Sequence, residues 1–135
     1  MTIDWSAYVG LPHRDHGRDR NGVDCWGLLR LVYAEQLGID LPSYADRYAD
    51  TAERAALDAL LSDPDCRAPW APVAAARPFD ALLFRAGRYA QHVAVAVDAR
   101  HMLHVHARTA SVIVPVADQP WGNRLLGTFR HEAMA

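Results

Sequence analysis

Cys25, His92 and His104 are the residues whose types and spacing could support nucleophilic chemistry. Cys25 follows Asp24 and opens an apolar segment, Cys25-Trp26-Gly27-Leu28, that runs on to Leu37. A helix starting there points its unpaired N–H groups and the positive end of its dipole at the sulfur, which favours thiolate over thiol. A thiolate also needs a base and a group to orient that base. His92 heads the alternating stretch His92-Val93-Ala94-Val95-Ala96-Val97, and His104 follows twelve residues later in a second one. Together they supply both functions. The chemistry is attack of Cys25 on an amide carbonyl to give a thioester, with the Cys25 N–H facing the developing oxyanion. His92 protonates the leaving amine, His104 holds the His92 ring, and water releases the acyl product. No metal or organic cofactor is required.

Whether the two histidines can cooperate depends on parity, because side chains alternate along a strand. A three-residue turn centred on Ala99 pairs residues whose numbers sum to 198, which sets His104 opposite Ala94 and His92 opposite His106 on one face. A two-residue turn at Ala99-Arg100 separates them. Both faces of the strand are apolar, and the small Ala94 and Ala96 beside His92 leave room for the Cys25 helix to pack there.

The elements that must position these residues follow from pattern. Leu28, Leu29, Leu31, Val32 and Leu37 recur with helical spacing and Gly38 stops the run, so a helix is predicted over Asp24 to Leu37. Gly10, Pro12, Gly17 and Gly22 make the preceding residues a short helix or turn followed by an exposed loop. Within it Arg14, Arg18 and Arg20 mix with Asp15 and Asp19, which reads as a solvated cluster. A second helix is signalled by Asp50 and Glu53 before Ala56, Leu57, Leu60 and Leu61. Pro64 to Pro78 has neither period and reads as a surface connection. Short alternating segments then follow at Ala81 to Phe84, Gln91 to Val97, Met102 to His106, Val112 to Val116 and Leu125 to Arg130, as in an antiparallel meander. Helices first and sheet second is an α+β arrangement of about five strands.

At 135 residues the chain suits one domain, spanning 1–135. A net charge of −2 argues against non-specific attachment to nucleic acid or to an anionic membrane. No stretch reaches the roughly 20 apolar residues that cross a bilayer, and Met1 to Trp5 lacks the marks of a signal peptide, so cytoplasmic synthesis is expected. Only Cys25 and Cys66 are present, in unlike contexts, which makes a disulfide framework improbable and Cys66 an inert turn residue. His106 shares the parity of His104 and is its rival for orienting His92. His104-x-His106 with His101 and Cys25 offers zinc donors, but no Cys-x-x-Cys or His-Glu-x-x-His pattern accompanies them.

Taken together, the Asp24-Cys25 helix start, the His92 strand and His104 resemble the NlpC/P60 family of papain-like cysteine peptidases. Phe79-Asp80-Ala81-Leu82-Leu83-Phe84 is similar to the Gly-Asp-Leu-Val-Phe-Phe strand of that family. The resemblance spans roughly Tyr8 to Ser111 and implies a peptidoglycan stem-peptide hydrolase, with a γ-D-glutamyl to diamino-acid linkage as the bond. Gly22-Val23-Asp24-Cys25-Trp26-Gly27-Leu28 and His104-Val105-His106-Ala107-Arg108 look most like the small versions found with phage tails and gene transfer agents. This implies tail proteins as partners, and delivery by a tail in place of a signal peptide. Two departures touch substrate contacts: His13 replaces the Tyr of Gly-x-Pro-Tyr, and Trp26 stands where most members have Ser. The resemblance implies a place for His13 near the oxyanion or substrate. Trp26 either narrows the cleft or joins a hydrophobic docking surface. Asp24 fits a helix cap, and the resemblance adds contact with a substrate amino group. Two other classes stay open: a structural tail-tip protein with little activity, for which unmasked Trp26 and Trp121 would suit an interface, and thioester-forming amide or acyl-transfer chemistry on a small molecule or lipid.

Overall fold

In the computed structural model, which describes residues 3–14, 17–41, 70–86, 89–106, 109–118 and 121–134, helix α1 spans Cys25–Val32. It begins there because the Asp24 side chain accepts the Gly27 N–H at 2.7 Å. The coil widens into a π-helical turn over Tyr33–Leu37 and ends on Gly38, whose φ of 65° is the left-handed cap that glycine adopts without strain. The predicted helix and its stop therefore agree with the structure. A 3-10 turn, Trp5–Tyr8, precedes it, and the expected exposed loop contains a small hairpin of β1, Arg18–Asp19, and β2, Gly22–Val23. The helix expected from Asp50 to Leu61, and Cys66, lie outside the described residues.

The main sheet has six antiparallel strands rather than about five: β3 Trp70–Val73, β4 Ala81–Ala86, β5 Tyr89–Ala96, β6 His101–His104, β7 Val112–Pro115 and β8 Leu125–His131. Their order is β3-β8-β4-β5-β6-β7. The meander holds from β4 to β7, but β8 crosses back between β3 and β4. The buried Asp80 carboxylate ties it there, accepting from Arg130 Nε at 2.9 Å and Nη2 at 2.7 Å. The stretch read as a surface connection contributes β3. Its Pro72 is tolerated because β3 is an edge strand with no second neighbour needing its N–H.

The β5–β6 hairpin settles the parity question. Val95 pairs with Leu103 and Ala96 with Met102, the odd-length register, so His92 and His104 share a face. Helix α1 packs on the other one. Leu28, Leu29 and Val32 meet Val93, Val95, Leu103 and Val105, while Ala94 and Ala96 face Leu82, Phe84, Met102 and Trp121. The expectation that the alanine face receives the helix is thus corrected. Valines offer the helix more apolar area to bury, and the alanines leave space for an indole. Apolar clusters on both sides explain why β4 and β5 show no clean alternation.

Candidate active site

The sulfur of Cys25 comes to the middle of β5 because α1 packs on that strand, in one apolar cluster with Val93 and Val95. Backbone N–H groups of Val93 and Trp26 face the sulfur, which places it one peptide unit from His92. Burial, and next the charge of Asp24, push the thiol up to about 12, against the smaller pull of those N–H groups and Arg18. The thiolate expected from the helix dipole is corrected to a thiol at rest. Desolvation outweighs the dipole, and the capping carboxylate puts a negative charge on the neighbouring residue.

His92 is buried, and its Nε2 lies 3.0 Å from Nδ1 of His104. That bond is made by His104 and not by its rival His106, whose ring sits 5.9 Å from that of His92 in a T-shaped arrangement. Burial holds His92 well below its ordinary value, with further lowering by His104 and His106. Burial, then His106, brings His104 down to about 4. Both rings are therefore neutral at pH 7, and the tautomers follow. For His92 Nδ1 to take a proton, Nε2 must carry the hydrogen and donate to His104 Nδ1, leaving the His104 proton on Nε2. A His104 that stays uncharged remains an acceptor while His92 becomes imidazolium.

Trp121 is the residue sequence reasoning misplaced. It is buried, not unmasked, and its ring stacks on His92 at 4.5 Å with an interplanar angle of 22°. It also meets His104 edge-on at 5.4 Å, while Phe84, opposite His92 on β4, closes another side at 6.0 Å. A large aromatic alone in a polar turn before the last strand was the available signal.

The loop before α1 is fitted rather than solvated. Arg18 Nη1 donates to Asp24 Oδ1 at 2.7 Å and to the Gly17 carbonyl at 2.8 Å, and Arg20 pairs with Glu35 at 2.7 Å. A Cβ on Gly27 would lie 1.9 Å from the Gly17 carbonyl oxygen, so only glycine lets this loop cover the helix start. The same Asp24 oxygen serves Gly27 and Arg18, and the residue is 1% exposed. His13 bridges to Val23, and its charge acts on His106, which puts it on the His106 side of the site. Its segment is fixed by buried Ser111, whose Oγ accepts the Leu11 N–H at 2.9 Å. Trp26 is half-buried and packs on the α1 side of the core.

A cysteine at a helix start beside a His–His pair on adjacent strands agrees with the family pattern, and the NlpC/P60 family model matches residues 10–130. The chain belongs to the NlpC/P60 family. This NlpC/P60 chain is 25% identical over 121 residues to the Escherichia coli K12 murein DD-endopeptidase MepS/murein LD-carboxypeptidase, covering 90% of this chain and 54% of that protein. It thus spans about half the length of the curated relative. Its fold is similar to that of an NlpC/P60 family protein from Bacillus cereus, with a TM-score of 0.69 and 19% identity over 93% of this chain and 37% of the other. The NlpC/p60 domain of the peptidoglycan hydrolase SagA aligns with a TM-score of 0.62 and 20% identity, covering 93% of this chain and 91% of that one. The α+β fold read from the sequence is the fold observed.

Proposed function

We propose that this NlpC/P60 chain is a cysteine peptidase that hydrolyses amide bonds in peptidoglycan stem peptides, with Cys25 as nucleophile, His92 as base and acid, and His104 as the group that orients His92. The observation that carries the reading is the hydrogen bond between His92 and His104, with the N–H of Val93, next after His92 on β5, facing the Cys25 sulfur. The thiol proton passes to Nδ1 of His92 as sulfur attacks the carbonyl carbon. The oxyanion forms against the Cys25 N–H. The imidazolium then protonates the leaving amine, and a water molecule, deprotonated by the same nitrogen, releases the acyl group and restores the thiol. Asp24 acts as the cap and the partner of Arg18, and His13 and Trp26 line the substrate's approach.

The bond is a γ-D-glutamyl to diamino-acid linkage, and the protein works in a phage-like tail particle, with tail proteins as its partners. The resemblance of Gly22 to Leu28 and of His104 to Arg108 supports this finer reading. Clearing of a cell-wall zymogram by the wild type and not by Cys25→Ala, with mass spectrometry of the fragments, tests the activity and the bond. Equal clearing by both proteins overturns it. Proteomics of purified tail particles tests the location, and absence of the chain from them removes the tail assignment.

A further inference from the structure

We infer that Arg18 is a positioning residue for the nucleophile: its guanidinium balances the carboxylate that caps the Cys25 helix, so that turnover depends on a cation acting through the cap rather than on the substrate. This role rests on the peptidase reading and adds a residue to that machinery. Three groups converge over the helix start. Asp24 Oδ1 accepts the Gly27 N–H at 2.7 Å and Arg18 Nη1 at 2.7 Å, and the same Nη1 donates to the Gly17 carbonyl at 2.8 Å. A Cβ on Gly27 would stand 3.1 Å from Arg18 Nη1, 3.1 Å from Asp24 Oδ1 and 1.9 Å from the Gly17 oxygen, so the ion pair is packed onto the first turn of α1. The β1–β2 hairpin fixes Arg18 there by pairing it with Val23, the residue before Asp24. With side-chain exposures of 13% and 1%, Arg18 and Asp24 are not a surface pair.

A helix cap needs only an acceptor, and an asparagine serves as well as an aspartate. What the carboxylate adds is a buried negative charge on the residue before the nucleophile, where it opposes thiolate formation. An unpaired carboxylate at that depth is costly, whereas one with a cation and complete hydrogen bonds is tolerated. Arg18 therefore acts twice: it keeps the capping oxygen in place, and it offsets the charge that Cys25 meets. The signs agree. Asp24 raises the proton affinity of the Cys25 sulfur and Arg18 lowers it, while the groups nearby on β5 are the Val93 N–H and His92, which is neutral. Asp24 is the stronger of the two, so the offset is partial, and removing either charge moves the thiol in a defined direction.

The test combines Arg18→Met, Asp24→Asn and the double variant, each checked for folding by circular dichroism. Alkylation of Cys25 by iodoacetamide at about pH 9, on the rising limb, is expected to be about threefold to tenfold slower in Arg18→Met and faster by a similar factor in Asp24→Asn. On a stem peptide, Arg18→Met is expected to lower kcat by about tenfold with KM changed by less than about twofold, because the guanidinium does not hold the substrate. In the Asp24→Asn background, where no buried charge needs balancing, Arg18→Met is expected to lower kcat by less than about threefold. If Arg18→Met alone does not fold, alkylation of Asp24→Asn and the kcat of the double variant against Asp24→Asn decide the matter by the same limits. An equal loss of kcat from Arg18→Met in both backgrounds, or unmoved alkylation in folded Asp24→Asn, makes Arg18 a packing residue and overturns its role while leaving the peptidase reading intact. Failure of the wild type to cleave the peptide overturns both.

Discussion

With the Cys25 thiol pushed up to about 12 and His92 held well below the usual imidazole range, the pair rests as two neutral groups and, in the proposed mechanism, becomes charged only during attack. Two measurements follow from the signs. Alkylation of Cys25 by iodoacetamide is expected to be slow at pH 7 and to rise through the alkaline range. A reactive thiol below pH 8.5, the ordinary cysteine value, would contradict it. On the acid side the proposed mechanism requires neutral His92, so kcat/KM is expected to persist below the ordinary histidine value of about 6.5 and to fall only as pH drops through the lowered value. Trp121 contributes to that lowering by excluding water and holds the ring by stacking. Trp121→Ala is expected to reduce kcat by about tenfold to a hundredfold with a smaller change in KM. It should also move the acid limb up towards 6.5, and Trp121→Phe should recover most of both. A variant that loses activity with an unmoved acid limb would leave Trp121 a packing residue only.

At the scale of elements, the turn leading into β4 carries a local strain. Phe79 has φ of 77°, in the left-handed region, at the position where the family strand has glycine. Its carbonyl is held by the Tyr33 hydroxyl and its ring packs on Trp5 at 5.2 Å. Comparing Phe79→Gly with Phe79→Ala separates backbone from ring, since both remove the aromatic contact and only glycine relieves the φ angle. The glycine variant is expected to be the more stable by about 1 kcal/mol in urea unfolding, the reverse of their usual order. The start of α1 has the opposite requirement. Gly27→Ala drives a methyl into the Gly17 carbonyl and is expected to lower both stability and turnover, because the displaced loop carries Arg18 and the cap. Activity and melting temperature unchanged in that variant would show that the loop does not need this close approach.

Over the whole molecule, the buried histidines couple stability to pH. Burial lowers His92, His104, His106 and His131 in the folded protein, so the unfolded chain takes up protons that the native one refuses. The stabilising contribution is full above about 6.5 and is lost as pH falls, for His104 down to about 4. Glu35, lowered first by its hydrogen bond to Arg20, adds a loss of the same sign at lower pH. The melting temperature is expected to drop by more than about 5 °C between pH 7 and pH 4. A flat profile by calorimetry would mean these side chains are less enclosed than their packing indicates.

The sequence by itself determined the helix from Cys25, its Asp24 cap and Gly38 stop, five of the six large-sheet strands, and the candidate triad, because these rest on local period, capping chemistry and spacing. Even the histidine pairing was reduced to one binary condition, the parity of the turn near Ala99. Tertiary structure decided the rest. Which sheet face receives α1 depended on comparing two apolar surfaces, and the return of β8 beside β4 depended on Asp80 meeting Arg130 across fifty residues. The protonation of Cys25 turned on burial outweighing a dipole, and Trp121 became part of the site only when a turn distant in sequence folded over His92. Local signals are written along the chain, whereas desolvation and stacking belong to the space that the folded chain encloses.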